Sequence, residues 1–200
     1  MSTIAKKKLI DLLQRAHAGE LAAAYAYSGH AKSVASPQER AEILQIMNEE
    51  LEHRSRLRQM LQGLGAAPVL FLERKMALIG RTISLLCRIG GWFIPMYGAG
   101  KLERGNLVEY EIAARLAFKA GEFHLVEELL AFGELEWQHE QYFRSKVQDH
   151  WMIKLFWIWP APPPLIEIRN SYQRFLERND MRELSTAVFS VNRLARYKNL

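Results

Sequence analysis

Two hundred residues, 49% of them hydrophobic, are enough for one domain with a substantial core and too few for two comfortable ones. A net charge of +5 is mild; it fits an anionic membrane surface or nucleic acid and singles out neither. The single cysteine, Cys87, excludes internal disulfides, Cys-x-x-Cys redox pairs and cysteine-based zinc sites, and points to a reducing compartment, most simply the cytoplasm. No apolar stretch follows Lys6-Lys7-Lys8, so no signal peptide is expected.

Helix breakers cluster, and Leu, Ala, Glu, Arg and Gln fill the long stretches between them, which predicts an all-α protein. A first helix is expected from about residue 3 to 33, with its apolar stripe at Leu9, Leu13, Ala16, Ala24 and Tyr27. Ser36-Pro37-Gln38-Glu39 reads as a second start: N-cap, Pro at the first helical position, and Glu closing a capping box. That helix should end at Gly63-Leu64-Gly65.

Residues 66–100 then form an apolar insertion punctuated by Pro68, Gly90-Gly91, Pro95, Gly98 and Gly100. Arg81 and Arg88 interrupt it, so no transmembrane helix is expected. A third helix should run from about Leu102 to Ala120, with Gly121 as a tight joint, and a fourth from Glu122 to about Gln148. The bundle so predicted occupies residues 1–150. Residues 151–200 follow as an aromatic, Pro-rich segment and one or two short basic helices, broken at Asn179-Asp180 and packed on the bundle.

Two helices carry Glu-x-x-His: Glu50-Leu51-Glu52-His53 and Glu136-Trp137-Gln138-His139. Positions i and i+3 lie about 60° apart and about 4.5 Å along the axis, so both side chains reach one metal ion. Both pairs fall on apolar stripes, in line with Ile43, Ile46 and Leu57 in one helix and Leu129, Phe132 and Phe143 in the other. A carboxylate placed where the pattern demands core needs compensation. Glu20 occupies the stripe of the first helix, between Ala16 and Ala24. In the third, Glu109 lies in line with Leu102, Ile112, Ala113 and Leu116.

One Glu from each of two helices and Glu-x-x-His from each of the other two is the ligand set of ferritin-like di-iron and di-manganese bundles. Four carboxylates balance two divalent ions, which suits a neutral cluster in a dry core. The expected fold is therefore a ferritin-like antiparallel four-helix bundle with an apolar insertion between helices 2 and 3 and a C-terminal helical tail. Glu42, Glu49, Glu52 and Glu140 read as a solvated face. Asn48 and Glu134, each five residues before a ligand-type histidine, are candidates to orient the imidazoles.

His17-Ala18-Gly19-Glu20 with Tyr27 behind it, Glu50-Leu51-Glu52-His53, Gly98-Ala99-Gly100, Val108-Glu109 and Glu136-Trp137-Gln138-His139 resemble the demethoxyubiquinone hydroxylase family of ubiquinone biosynthesis. The likeness spans about residues 8–147. It implies an oxygen-activating enzyme with two iron ions (or manganese) held by Glu20, Glu50, His53, Glu109, Glu136 and His139, with Glu50 and Glu136 bridging. Implied partners are O2, a small organic substrate of quinone type and an electron donor. Tyr27 could gate the pocket, carry electrons, or simply fill core.

Two other readings stand beside this one. A rubrerythrin- or ferritin-like peroxidase or iron oxidase would share the ligands but has no use for the apolar insertion, and the missing Cys pairs exclude a fused rubredoxin. A non-catalytic interaction protein would need no buried ligand set. The basic tail matches no nucleic-acid motif, so no nucleic acid partner is expected. Trp92, Trp157 and Trp159, with Arg81, Arg88 and Lys154 near them, suit a peripheral contact on the inner face of the cell membrane; burial across a homodimer is the alternative.

Overall fold

The computed structural model describes residues 2–179. It contains five α-helices in its first compact unit, Met1–Pro162: α1 (Thr3–His30), α2 (Pro37–Gly63), α3 (Leu70–Ile89), α4 (Phe93–Ala120) and α5 (Val126–Val147). Among the described residues there is no strand. The second unit begins at Pro163 and contributes a helix over residues 166–179. The basic residues Arg182, Arg193, Arg196 and Lys198, and any break at Asp180, lie outside the described residues.

Local signals set the helix ends. Ser2 and Ser36 each accept a hydrogen bond from the backbone N–H three residues on, and Pro37 starts α2 where its missing N–H costs nothing. Gly121 closes α4 in the left-handed conformation, φ 80°, which only glycine adopts freely. A short 3-10 turn, Phe123–Leu125, then feeds α5.

The bundle proper is α1, α2, α4 and α5. Glu20 meets Tyr110 and Tyr27 meets Glu103, so α1 and α4 run antiparallel. α1 and α2 form an antiparallel hairpin as well, which makes α2 and α4 parallel. The chain must therefore travel back along the bundle before α4 can start. α3 makes that return: its 20 residues span about 30 Å, and it lies along α1.

The α1–α3 contact is close because it is built from small residues. A Cβ on Gly80 would sit 2.6 Å from the Ala22 Cα, and one on Gly29 would sit 2.3 Å from the Ser84 carbonyl oxygen. Arg54 of α2 and Glu73 of α3 form an ion pair, and His17 of α1 hydrogen-bonds Glu73 at 2.8 Å, pinning all three helices at one level.

The third bundle helix starts earlier than the sequence suggests. α4 begins at Phe93 and runs through Pro95, Gly98 and Gly100. Pro95 falls in the first turn, where its N–H would have no intrahelical partner. Gly100 makes room for the Trp159 ring, 2.5 Å from where its Cβ would stand. Residues 151–162 thus belong to the first unit, with Trp159 buried against α4 and α5.

Candidate metal centre

Five of the six expected residues meet in the middle of the bundle. Glu20, Glu50, His53, Glu136 and His139 are all buried, with Glu50 and Glu136 fully so. The sixth is Glu103 rather than Glu109. Glu103 is 1% exposed, whereas Glu109 is exposed on the surface of α4.

The reason is the start of α4. With the helix beginning at Phe93, its core stripe runs Met96, Ala99, Glu103, Leu107, Tyr110, Ala113 and Ala117, at steps of three and four. Glu109 is six residues on from Glu103, about 120° around the axis. Leu102 and Ile112, which had marked its face as core, are 57% and 43% exposed.

One donor atom from each of Glu20, Glu50, His53 and Glu136 lies within 4.8 Å of the others, and the same holds for Glu50, Glu103, Glu136 and His139. The two quartets share Glu50 and Glu136. The arrangement is crossed: His53 Nδ1 is 3.2 Å from Glu136 Oε1, and His139 Nδ1 is 3.2 Å from Glu50 Oε1.

Outside the quartets, each lone carboxylate takes a phenol from the opposite hairpin. Tyr110 donates to Glu20, and Tyr27 donates to Glu103. Tyr27 and Tyr110 are both buried and sit seven residues after Glu20 and Glu103. That Glu-x6-Tyr repeat is a signal that could have picked Glu103 from the sequence.

The residues fit a metal pair. Both Glu50 oxygens, Glu136 Oε1 and the Nδ1 atoms of His53 and His139 are buried without a hydrogen-bond partner, and all belong to the two quartets. Five orphaned donor atoms in a dry core are costly unless something satisfies them together.

Electrostatics points the same way. Burial first, then the charge of Glu50, pushes the Glu20 and Glu136 carboxyls well above their usual range. Burial acts on Glu50 in the same sense, but the nearby His139 and His53 imidazoles outweigh it and hold Glu50 below that range. Burial would lower His139, yet Glu50, Glu103 and Glu49 raise it to about 9.

Two neighbours read as solvated play other parts. Glu49 accepts a hydrogen bond from His139 Nε2 at 2.7 Å and fixes that ring, while Asn48 faces solvent. Glu140 is fully buried, held by Arg144 at 2.7 Å and by the Trp159 indole N–H at 2.6 Å. The strap at 151–162 covers a face that the helical pattern alone marks as outside.

A cavity of about 730 Å³ lies between α1, α3 and α4. Its walls are mostly apolar, with Ala23, Met76, Ile79, Ile83 and Ile94 among them, and it reaches Glu20, Glu103 and both tyrosines. α3 leans on α1 far more than on α4, and the space left beside that lopsided contact is this cavity.

Residues 7–88 match the model of the family described as ubiquinone biosynthesis protein COQ7, a ferritin-like di-iron family. The match covers Glu20, Glu50 and His53. Glu103, Glu136 and His139 lie beyond it. Neither the curated proteins nor the solved structures yield a match to the chain.

Proposed function

We propose, for a chain whose residues 7–88 match a family of hydroxylases of ubiquinone biosynthesis, that it is a di-iron monooxygenase acting on a quinone-type ring. The observation that carries this is the apolar cavity ending on Glu20 and Glu103, the two carboxylates that belong to one quartet each. An iron oxidase needs a polar path for cations; a 730 Å³ apolar chamber suits an organic molecule.

In this reading Glu20, Glu50, His53 and Glu136 hold one ion, and Glu50, Glu103, Glu136 and His139 the other. Glu50 and Glu136, common to both quartets, would serve both ions. Two iron ions held there would supply the reduction of O2, with electrons from an external donor. The chain does the rest. Glu49 fixes the His139 ring through Nε2, leaving Nδ1 turned to the centre. Tyr27 and Tyr110 hold Glu103 and Glu20 in place from outside. The cavity walls exclude water and present one ring edge to the centre.

α3 also supports a peripheral membrane contact. Phe71, Leu78, Leu85 and Ile89 are exposed along one stripe, and Arg74, Arg81 and Arg88 flank it three residues after the first three. No helix among the described residues is long and apolar enough to cross a membrane. Trp157, 93% exposed, offers an aromatic anchor. Leu78→Ser with Leu85→Ser should release the protein from anionic liposomes; a wild type that never sediments with them ends the membrane reading.

The test of the main reading is direct. Protein from iron-supplied cells should carry about two irons per chain and convert a short-chain methoxybenzoquinol to its hydroxylated product when given O2 and a reductant. Metal-loaded protein that oxidises Fe(II) rapidly but never modifies a ring would refute it.

A further inference from the structure

The cavity wall holds a buried, unpartnered polar side chain that the proposed chemistry has not used. His30, the last residue of α1, is 2% exposed and lines the same chamber as Glu20 and Glu103. Its ring stacks near Phe143 at 5.8 Å and Tyr27 at 6.3 Å. Its Nε2 is buried and has no hydrogen-bond partner. Burial lowers its pKa to about 4, against a small opposing pull from Glu39, so the imidazole is neutral at physiological pH.

An unsatisfied imidazole in an apolar wall carries a desolvation penalty that a leucine would not. Its position gives that penalty a use. His30 is three residues beyond Tyr27, about 4.5 Å along α1, and Tyr27 holds Glu103. A six-membered ring with its exocyclic oxygens is about as broad as one helical turn, ~5.4 Å. A ring lying beside Glu103 therefore brings its far edge to the level of His30. A neutral imidazole can donate to a carbonyl or methoxy oxygen there, or accept from a hydroxyl.

We infer that His30 is the substrate-positioning residue of the cavity: it hydrogen-bonds an oxygen substituent on the ring edge away from the metal centre, and so selects oxygenated rings over plain hydrocarbons. This rests on the reading of the cavity as the substrate chamber, and it fixes which edge of the ring faces Glu20 and Glu103.

The experiment is a two-ligand comparison on metal-loaded protein by titration calorimetry. The probes are a hexyl-substituted methoxybenzoquinone and hexylbenzene. His30→Leu and His30→Met replace the imidazole with apolar groups, one branched and one pliable enough to fill an irregular gap. Both should bind the quinone about tenfold more weakly, as expected for one lost hydrogen bond, and bind hexylbenzene within about twofold of wild type. His30→Gln, which keeps a donor and an acceptor, should recover most of the quinone affinity. Metal content should not change in any of them. The apolar variants should also melt higher than wild type, because an orphaned buried nitrogen is gone.

Wild-type quinone affinity in both apolar variants overturns the inference and leaves the substrate chamber standing. Equal loss of both ligands overturns it too, since that marks a packing role. If the wild type binds neither probe, the chamber reading fails and takes the inference with it.

Discussion

The two hairpins, α1–α2 and α4–α5, are chemical copies of each other, and they differ where it matters. Each supplies Glu-x6-Tyr on its first helix and Glu-x-x-His on its second. The residue before the second glutamate breaks the symmetry: it is Glu49 in one hairpin and Leu135 in the other. Glu49 reaches across to His139. At His53 the ring lies instead against Phe132, 4.2 Å between centroids, and near Tyr110 at 5.8 Å. One imidazole is oriented by a charge and the other by packing. Two metal sites built this way would share Glu50 and Glu136 but differ in affinity.

The largest effect should come from removing what the hairpins share. Glu50→Ala and Glu136→Ala each take a donor from both quartets, so each should lose nearly all metal by elemental analysis. Glu103→Ala and Glu20→Ala strip one quartet only and should keep about one ion per chain. Glu109→Ala should keep both. Full occupancy in Glu103→Ala, with loss in Glu109→Ala, would reverse the assignment of the third bundle helix.

Metal removal comes next and tests the centre as a unit. Without cations, Glu20 and Glu136 have raised folded-state pKa values, and His139 stands at about 9. Groups raised in the folded state bind more protons there than when unfolded. Their contribution is therefore full below the unfolded pKa values and falls as pH climbs through the folded ones. The metal-free protein should lose melting temperature steadily from about pH 6 to 9. The loaded protein should melt higher at every pH in that window, because the ions bind only the folded state. Superimposable melting curves would mean that nothing binds between the hairpins.

Much of this was readable in the sequence, and the gaps have physical causes. Glu20, Glu50, His53, Glu136 and His139 stood out because each is polar on a stripe that periodicity marks as core. Glu103 stood out less because Pro95, Gly98 and Gly100 look like breakers. Here the proline sits in a first turn and Gly100 is small to admit the Trp159 ring. Glu49 and Glu140 were hidden for another reason. Each is next to a ligand and about 100° away from it on its helix, so periodicity assigns it to solvent. Its burial or pairing comes from a different element, His139 on α5 for Glu49 and the strap at 151–162 for Glu140. The insertion was legible as apolar, but a local pattern cannot show that parallel α2 and α4 require a returning helix.

The asymmetry itself is tested by Glu49→Gln. Removing that charge should weaken metal at the His139 side by about ten- to a hundredfold, the usual cost of losing a partner that orients a ligand. Zinc or iron titration of the variant should then show two clearly separated steps. Leu135→Glu asks the converse question and should not strengthen the His53 side unless that ring can turn away from Phe132. Two equal steps in Glu49→Gln would put the hairpins back on a par.

The smallest effect should separate the two tyrosines. Tyr27→Phe and Tyr110→Phe each delete one hydroxyl that donates to a buried carboxylate on the opposite hairpin. Each should cost about 1 kcal/mol of stability in the loaded protein, the net worth of one hydrogen bond. The partners differ in surroundings. Asn106 also donates to Glu103, at 3.0 Å, so that carboxylate keeps a donor when Tyr27 loses its hydroxyl. Glu20 takes its hydrogen bond from Tyr110, which is pressed between His53 and Phe132, at 5.8 and 5.3 Å. Tyr110→Phe should therefore destabilise more than Tyr27→Phe, and the two should add in the double variant because they touch different carboxylates. A larger cost for Tyr27→Phe, measured by urea unfolding of loaded protein, would show that Asn106 does not compensate. The hairpins would then differ at their lone carboxylates in the opposite sense.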